Sequence, residues 1–261
     1  MNFWVCAKHV PDTETRVKVS ADGMNLEFPE ANYVINPYDE YAVEEALRLK
    51  EKLDGEVTVV TLGGDDSTKT LRQALAMGAD KGILLSDEAF EGGDALSTAR
   101  ALAAAIKGNP FDIVFCGKHA VGDDDQQVGT ILAELLGVPS ISVVTSLELE
   151  GDSVTCLREI EGGSEQVKAP LPCVITCQKG LCEPRYPSLR NIMQAKKKPV
   201  DTLSAADAGL DASTVGAGAG AFELKRYSSP PSRPEGRILE GEIPDQVKEL
   251  VGLLQNEAKV I

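Results

Sequence analysis

Short apolar runs alternate with amphipathic stretches through the first half of this chain, and few architectures accommodate that rhythm. Residues 3–7, 57–62, 82–85 and 113–116 read as strands. Residues 38–53, 68–77, 95–106 and 127–136 carry helical periodicity. Strands separated by helices cannot pair through tight turns, so each reaches a parallel neighbour by a crossover. Nearly continuous apolar strands belong in a sheet covered on both sides. The expected fold is therefore α/β, a mostly parallel, Rossmann-like sheet with helices on both faces.

After Pro139 the rhythm changes. Residues 140–150, 153–159, 165–168 and 172–178 are rich in Val, Ile, Thr and Ser, with turns at Gly151-Asp152 and Gly162-Gly163. They predict strands pairing antiparallel at one side of the sheet. From 200 to 236 the chain turns loop-like, because residues 216–221 and the Pro230, Pro231, Pro234 cluster resist regular structure. An extended arm of that length in an ordered protein wraps something. A last amphipathic helix, 244–257, places Val247, Leu250, Val251 and Leu254 on one face. The expected organisation is a nucleotide-binding body, 1–199, and an arm with its helix, 200–261. No internal repeat is present.

Charge narrows the partners. The net charge of −15 excludes a general nucleic-acid binder, since phosphates are repelled over most of such a surface. Lys196, Lys197 and Lys198 form a basic island, either a solvated helix end or a patch that meets an acidic partner. No apolar run approaches the roughly 18 residues of a membrane span, and the N-terminus lacks a signal pattern. Cys6 and Cys116 sit inside strand patterns as small hydrophobes. Cys173, Cys177 and Cys182 match no familiar ligand spacing, which predicts no metal site. Reduced thiols and a cytoplasmic home are expected.

Three loops bear on function. Gly117-Lys118-His119-Ala120-Val121-Gly122-Asp123-Asp124-Asp125-Gln126-Gln127-Val128-Gly129 follows a strand and opens a helix. Backbone N–H groups and the positive helix end hold phosphates at such places. Gln126 and Gln127 offer amide donors there. Asp123, Asp124 and Asp125 suit N-caps or ribose partners instead, so the loop reads either as a nucleotide site or as a plain capped loop. Leu62-Gly63-Gly64-Asp65-Asp66-Ser67 is similar to the pyrophosphate loop of ATP pyrophosphatases, but has Leu62 where that loop has serine. Asn36-Pro37-Tyr38-Asp39-Glu40 precedes a helix: Asn36 holds the local turn and Asp39 and Glu40 complement the dipole. That leaves Tyr38 as an exposed aromatic able to meet a flat ring. His9 reads as a loop residue, and no nucleophile, base and acid combine into a catalytic set. Nucleotide-like loops without chemistry of their own suit a carrier.

Residues 183–198, Glu-Pro-Arg-Tyr-Pro-Ser-Leu-Arg-Asn-Ile-Met-Gln-Ala-Lys-Lys-Lys, begin as an ordered non-helical loop fixed by Pro184 and Pro187. One or two helical turns follow, with cations at the C-terminal end. Leu189, Ile192 and Met193 share an apolar stripe there, a small docking surface.

This segment, with Asn36-Pro37, residues 74–80 (Ala-Leu-Ala-Met-Gly-Ala-Asp), Gly117-Lys118 and residues 158–163 (Arg-Glu-Ile-Glu-Gly-Gly), resembles the electron transfer flavoprotein β subunits over about residues 3–198. The resemblance implies an adenine-nucleotide α-hydrolase-like fold and a heterodimer with an α subunit that carries a redox-active FAD. It implies a buried structural AMP surrounded by Cys6, Asn36, Pro37, Tyr38, Asp39, Leu62 and the loop from Gly117 to Val128, with Tyr38 near the flavin edge. Leu189 resembles the leucine that inserts into an acyl-CoA dehydrogenase, and Glu159 the acidic residue that restrains the flavin domain through an α-subunit arginine. Electrons would pass to a downstream quinone-linked oxidoreductase, and the arm would wrap the α subunit. Electron-bifurcating members hold a second FAD in place of AMP and take electrons from NADH; their loop reads Asp-Gly-Asp-Thr-Ala-Gln-Val-Gly. Here Gln126 replaces that alanine, as in the AMP type, whereas Val128 resembles the bifurcating type. The reading is an AMP-holding, non-bifurcating carrier. Its rivals from other classes are an ATP-pyrophosphatase-like enzyme and a stress-type adenine-nucleotide-binding domain.

Overall fold

A computed structural model describes residues 1–233 and 235–261; Pro234 of the predicted proline cluster lies outside the described residues. The chain opens with β1 (Asn2–Cys6), the short strands β2 (His9–Pro11), β3 (Lys18–Val19), β4 (Leu26–Glu27) and β5 (Tyr33–Ile35), then α1 (Pro37–Leu53). β6 (Glu56–Leu62), α2 (Thr68–Met77), β7 (Lys81–Leu85), α3 (Ala95–Ile106), β8 (Ile113–Gly117) and α4 (Val128–Leu136) continue the alternation. β9 (Ser140–Glu150), β10 (Ser153–Ile160), β11 (Gly163–Pro170) and β12 (Cys173–Cys177) follow, then α5 (Leu189–Ala195), β13 (Val200–Leu203) and α6 (Ile243–Asn256).

Nine strands form one sheet in the order β11-β10-β9-β12-β8-β1-β6-β7-β13. The α/β expectation holds. One core, with Phe3, Leu47, Leu71, Leu75, Phe115 and Ile175, fills the face under α1 and α2. A second, with Trp4, Val60, Ile106, Val114, Leu132 and Val174, lies under α3 and α4. Successive side chains of β1 and β8 point to opposite faces, so these strands feed both cores and are buried except at Asn2 and Gly117.

The second half departs from expectation in two places. β9, β10 and β11 pair antiparallel, but β12 does not join them at the side. It lies inside the sheet, parallel to β8 and β9, and is buried at all five positions. A strand buried on both faces shows no alternation to reveal its neighbours. A bulge in β9 makes the change of partner possible. Val143, a β-branched residue at φ 62°, leaves the ladder and donates its N–H to Thr176 Oγ1 at 2.9 Å. The Arg158 guanidinium covers the carbonyl that the bulge displaces, Ser142 O, at 2.9 Å.

The loop-like reading of 200–236 also needs correction. β13 pairs parallel with β7 and closes the far edge of the sheet. Its four residues include exposed Asp201 and Thr202, too short and polar a run to register as a strand. Beyond it the arm first folds onto its own body. Ala205 and Val215 are buried against the α3 side, and Gly216 N donates to Ser97 Oγ at 2.6 Å. Only the later part stands clear. α6 has no buried residue, and Ile243, Val247, Leu250 and Val251 are all exposed. His9 lies in β2 rather than a loop, with Nδ1 2.9 Å from Thr70 Oγ1 and its ring stacked on Tyr33.

Candidate functional site

The chain runs outward from β1 through β6 to β7, then returns to the other side of β1 to lay down β8. This reversal is a topological switch point, and open α/β sheets bind ligands beyond the strand ends there. The carboxyl ends of β1, β6 and β8 open into a cavity of about 540 Å³. That volume lies within the ~300–1,000 Å³ range of small-molecule sites. Cys6, Val60, Leu62, Cys116 and Gly117 form its floor.

The start of α1 organises the cavity, though not by capping itself. Asn36 makes no side-chain cap bond to its own helix. Instead its Nδ2 donates to His119 O at 2.9 Å, and its Oδ1 accepts from Val121 N at 3.2 Å. Asp39 is not an exposed partner of the helix dipole. It is buried, accepting from Lys8 N at 2.7 Å and Gly117 N at 2.9 Å. Burial pushes its carboxyl up to about 7, against the lowering effect of those hydrogen bonds. Gly117 is obligatory here, since a Cβ would come within 2.4 Å of Asp39 Oδ1. Glu40 turns to α2, where it accepts from Gln73 Nε2 at 2.9 Å.

The loop that follows carries unusual backbone. Asp124 and Gln126 adopt left-handed φ values of 51° and 57°, a conformation that costs non-glycine residues energy unless the surroundings hold it. Lys118 Nζ sits 5.4 Å from the centre of the Tyr38 ring, and His119 meets that ring edge-on at 4.3 Å. The Lys8 ammonium pairs with Asp123. His119 Nε2 faces Asp124 Oδ1 at 3.4 Å, while its Nδ1 is buried with no hydrogen-bond partner. α4 begins without a side-chain cap, so its first-turn amides are available to a ligand. Gly129 lets that helix approach β12, for a Cβ would meet Thr176 Cγ2 at 2.5 Å.

Of the residues predicted for a nucleotide, Cys6, Asn36, Asp39, Leu62 and Gly117 line the cavity. So do Lys118, His119, Ala120, Gly122, Asp123, Asp125, Gln126, Gln127 and Val128. Pro37, Tyr38, Val121 and Asp124 are not part of that lining, and Tyr38, expected as an exposed aromatic, is half-buried. In the 62–67 loop only Leu62 reaches the cavity, because Gly63 folds onto Ser67, where a Cβ would lie 2.4 Å from Oγ. Sequence reading missed Lys8, the Gly93-Asp94-Ala95 turn, and Phe222 and Tyr227 from the arm. A usable signal existed for the turn, since Gly92-Gly93-Asp94 also follows a strand and opens a helix.

The 183–198 segment lies elsewhere. Arg185 fastens it by donating to buried Glu44 at 2.8 Å and to Glu51. Ser188 caps α5 by accepting from Asn191 N at 3.2 Å. Leu189 is 82% exposed and Met193 71%, with Ile192 at 42%. Lys196 and Lys197 are exposed. Lys198 is not a free cation, for its ammonium donates to Leu75 O at 3.0 Å and Ala79 O at 2.5 Å, closing the end of α2. Glu159, near the end of β10, accepts from Gln178 Nε2 at 2.7 Å. Cys173 and Cys177 are buried in β12, and burial pushes the Cys173 and Cys182 thiols up to about 12. Among the described residues no helix is long and apolar enough to cross a membrane.

The family description "Electron transfer flavoprotein domain" matches residues 26–208. A protein of Bacillus subtilis named "Electron transfer flavoprotein subunit beta" is 42% identical, covering 100% of both chains. One of the same name from Thermoanaerobacterium thermosaccharolyticum is 39% identical over 98% of both. "Caffeyl-CoA reductase-Etf complex subunit CarD" of Acetobacterium woodii is 36% identical over 99% of this chain and 98% of its own.

Proposed function

The chain belongs to the electron transfer flavoprotein family as a β subunit, and from that premise we propose that it holds a structural AMP and docks redox partners for a flavin carried by an α subunit. One observation carries the nucleotide reading: α4 starts without a side-chain cap, beside Lys118, at the cavity of the switch point. The α4 amides and Lys118 would hold the phosphate. Asp123 and Asp125 would accept from ribose hydroxyls. AMP supplies no redox chemistry; Asn36 and Asp39 hold the loop that would grip it.

Electron transfer depends on bringing the partner-held FAD close to each donor and acceptor, so this chain works by geometry. Leu189, with Ile192 and Met193, offers an acyl-CoA dehydrogenase a compact apolar hot spot beside two cations that steer acidic surfaces. Lys198 is spent inside the body, which leaves Lys196 and Lys197 as the steering pair. Anchoring there leaves the flavin domain of the α subunit free to swing, with Glu159 restraining it through an arginine of that subunit. The exposed face of α6 and the later arm would embrace the α subunit, and a quinone-linked oxidoreductase would accept the electrons.

A second reading, electron bifurcation with a second FAD in the cavity, is favoured by Val128 at the start of α4 and opposed by bulky Gln126 in the lining. Mass spectrometry of nucleotides extracted from the purified heterodimer separates them. One FAD and one AMP are expected; two FAD and no AMP establish the second reading.

A further inference from the structure

The cavity has one wall that belongs to none of the sheet loops. Phe222 and Tyr227, from the middle of the arm, line it together with the loop after β8 and the start of α3. We propose that residues 221–227 are a strap that retains the ligand, with Phe222 and Tyr227 as its retaining side chains. The inference rests on the reading above that the cavity takes an adenine nucleotide.

The strap is tied at both ends. On the α3 side, Ala221 N donates to Asp94 Oδ2 at 2.5 Å, while Asp94 Oδ1 caps α3 by accepting from Ser97 N at 2.9 Å. The Arg100 guanidinium donates to Thr214 O and Ala219 O, each at 3.3 Å, and fixes the approach. Gly216, at φ 70°, passes so close to Ala89 O that a Cβ would lie 2.2 Å away. On the far side, Tyr227 N donates to Gly23 O at 2.7 Å, in the turn between β3 and β4. Residues 222–226 bridge these two anchors past the cavity mouth.

The packing of the body does not require Phe222. Phe222 is 68% exposed, yet it lines the cavity. An aromatic face at such a mouth is suited to a planar base, on which it stacks. The bond from Ala221 to Asp94 is exposed and Tyr227 is half-buried, with only its acceptor residue Gly23 buried, so the strap opens from its Ala221 end without unfolding the sheet. Retention should therefore appear in the release rate of the nucleotide more than in its capture.

The heterodimer, exchanged into radiolabelled AMP and chased with excess unlabelled AMP, tests this. Phe222→Ala should release label roughly ten- to hundredfold faster, the range that loss of one stacking face implies. Ala221→Pro, which removes the N–H given to Asp94, should also speed release; Gly220 at φ −70° and ψ 152° already has the conformation a following proline requires. Leu224→Ala, outside the lining, should release at the parent rate. Because Phe222 is exposed, the melting curve of its variant should match the parent. Unchanged release from both Phe222→Ala and Ala221→Pro overturns the strap alone. A heterodimer that neither carries nor takes up AMP overturns the nucleotide reading and the strap with it.

Discussion

Asp39 shows how far one residue can depart from its local context. Two residues into a helix, a carboxylate ordinarily faces solvent and the helix dipole. Here it is 5% exposed and ties the ends of β1 and β8 together through Lys8 N and Gly117 N. Its folded pKa of about 7 lies above the ordinary 3.8, so the native state binds a proton that the unfolded state has lost over that interval. The stability it contributes is therefore present below about pH 4 and is lost as pH rises to about 7. Asp39→Asn has no such titration. Denaturant unfolding at pH 5 and pH 8 should show the variant's deficit shrinking at the higher pH. A deficit equal at both values would mean that Asp39 is ionised throughout. Local sequence identified Asp39 as a helix-start acid, but its hydrogen-bond partner Gly117 is 78 positions away and no local pattern announces it.

At the scale of elements, the segment around α5 combines two jobs that its sequence runs together. Leu75 O and Ala79 O, at and just beyond the end of α2, are satisfied by Lys198, whereas Lys196 and Lys197 lie in solvent. Hydrogen bonds from a charged donor contribute about 1.5–3 kcal/mol. Lys198 makes two such bonds, so Lys198→Met should destabilise the subunit by at least about 2 kcal/mol in urea titrations, and Lys197→Met should change it by less than about 0.5 kcal/mol. Equal losses would show that Lys198 does not brace α2. Leu189→Ala tests the other job. With a side chain 82% exposed, it should leave heterodimer stability unchanged while slowing reduction by an acyl-CoA dehydrogenase about tenfold or more, the scale of a hot-spot residue. Unaltered stopped-flow rates would remove Leu189 from the docking surface.

For the whole molecule, the arm and α6 raise the question of what completes the fold. Ile243 is 74% exposed, Val247 55%, Leu250 47% and Val251 45%, an apolar face that the body leaves uncovered. Covering a Val, Leu or Ile side chain contributes about 1.5–3 kcal/mol, so an α subunit seated there would gain several kcal/mol from this face. Removing residues 243–261 should leave the subunit's own unfolding midpoint in place and weaken heterodimer formation at least tenfold by analytical ultracentrifugation. Undiminished association would move the α-subunit contact elsewhere. By itself the sequence determined the alternation of strands and helices, the layers on both faces and the loops after β8 and before α1. Those features follow from side-chain periodicity and turn chemistry, which act over a few neighbouring residues. Tertiary structure alone decided that β12 lies inside the sheet, that β13 closes its far edge, that Asn36 and Asp39 hold a distant loop, and that the arm returns to wall the cavity. Such pairings are selected by the need to satisfy backbone groups and fill space across the whole fold, and residues 83 or 127 positions apart carry no shared local signal of it.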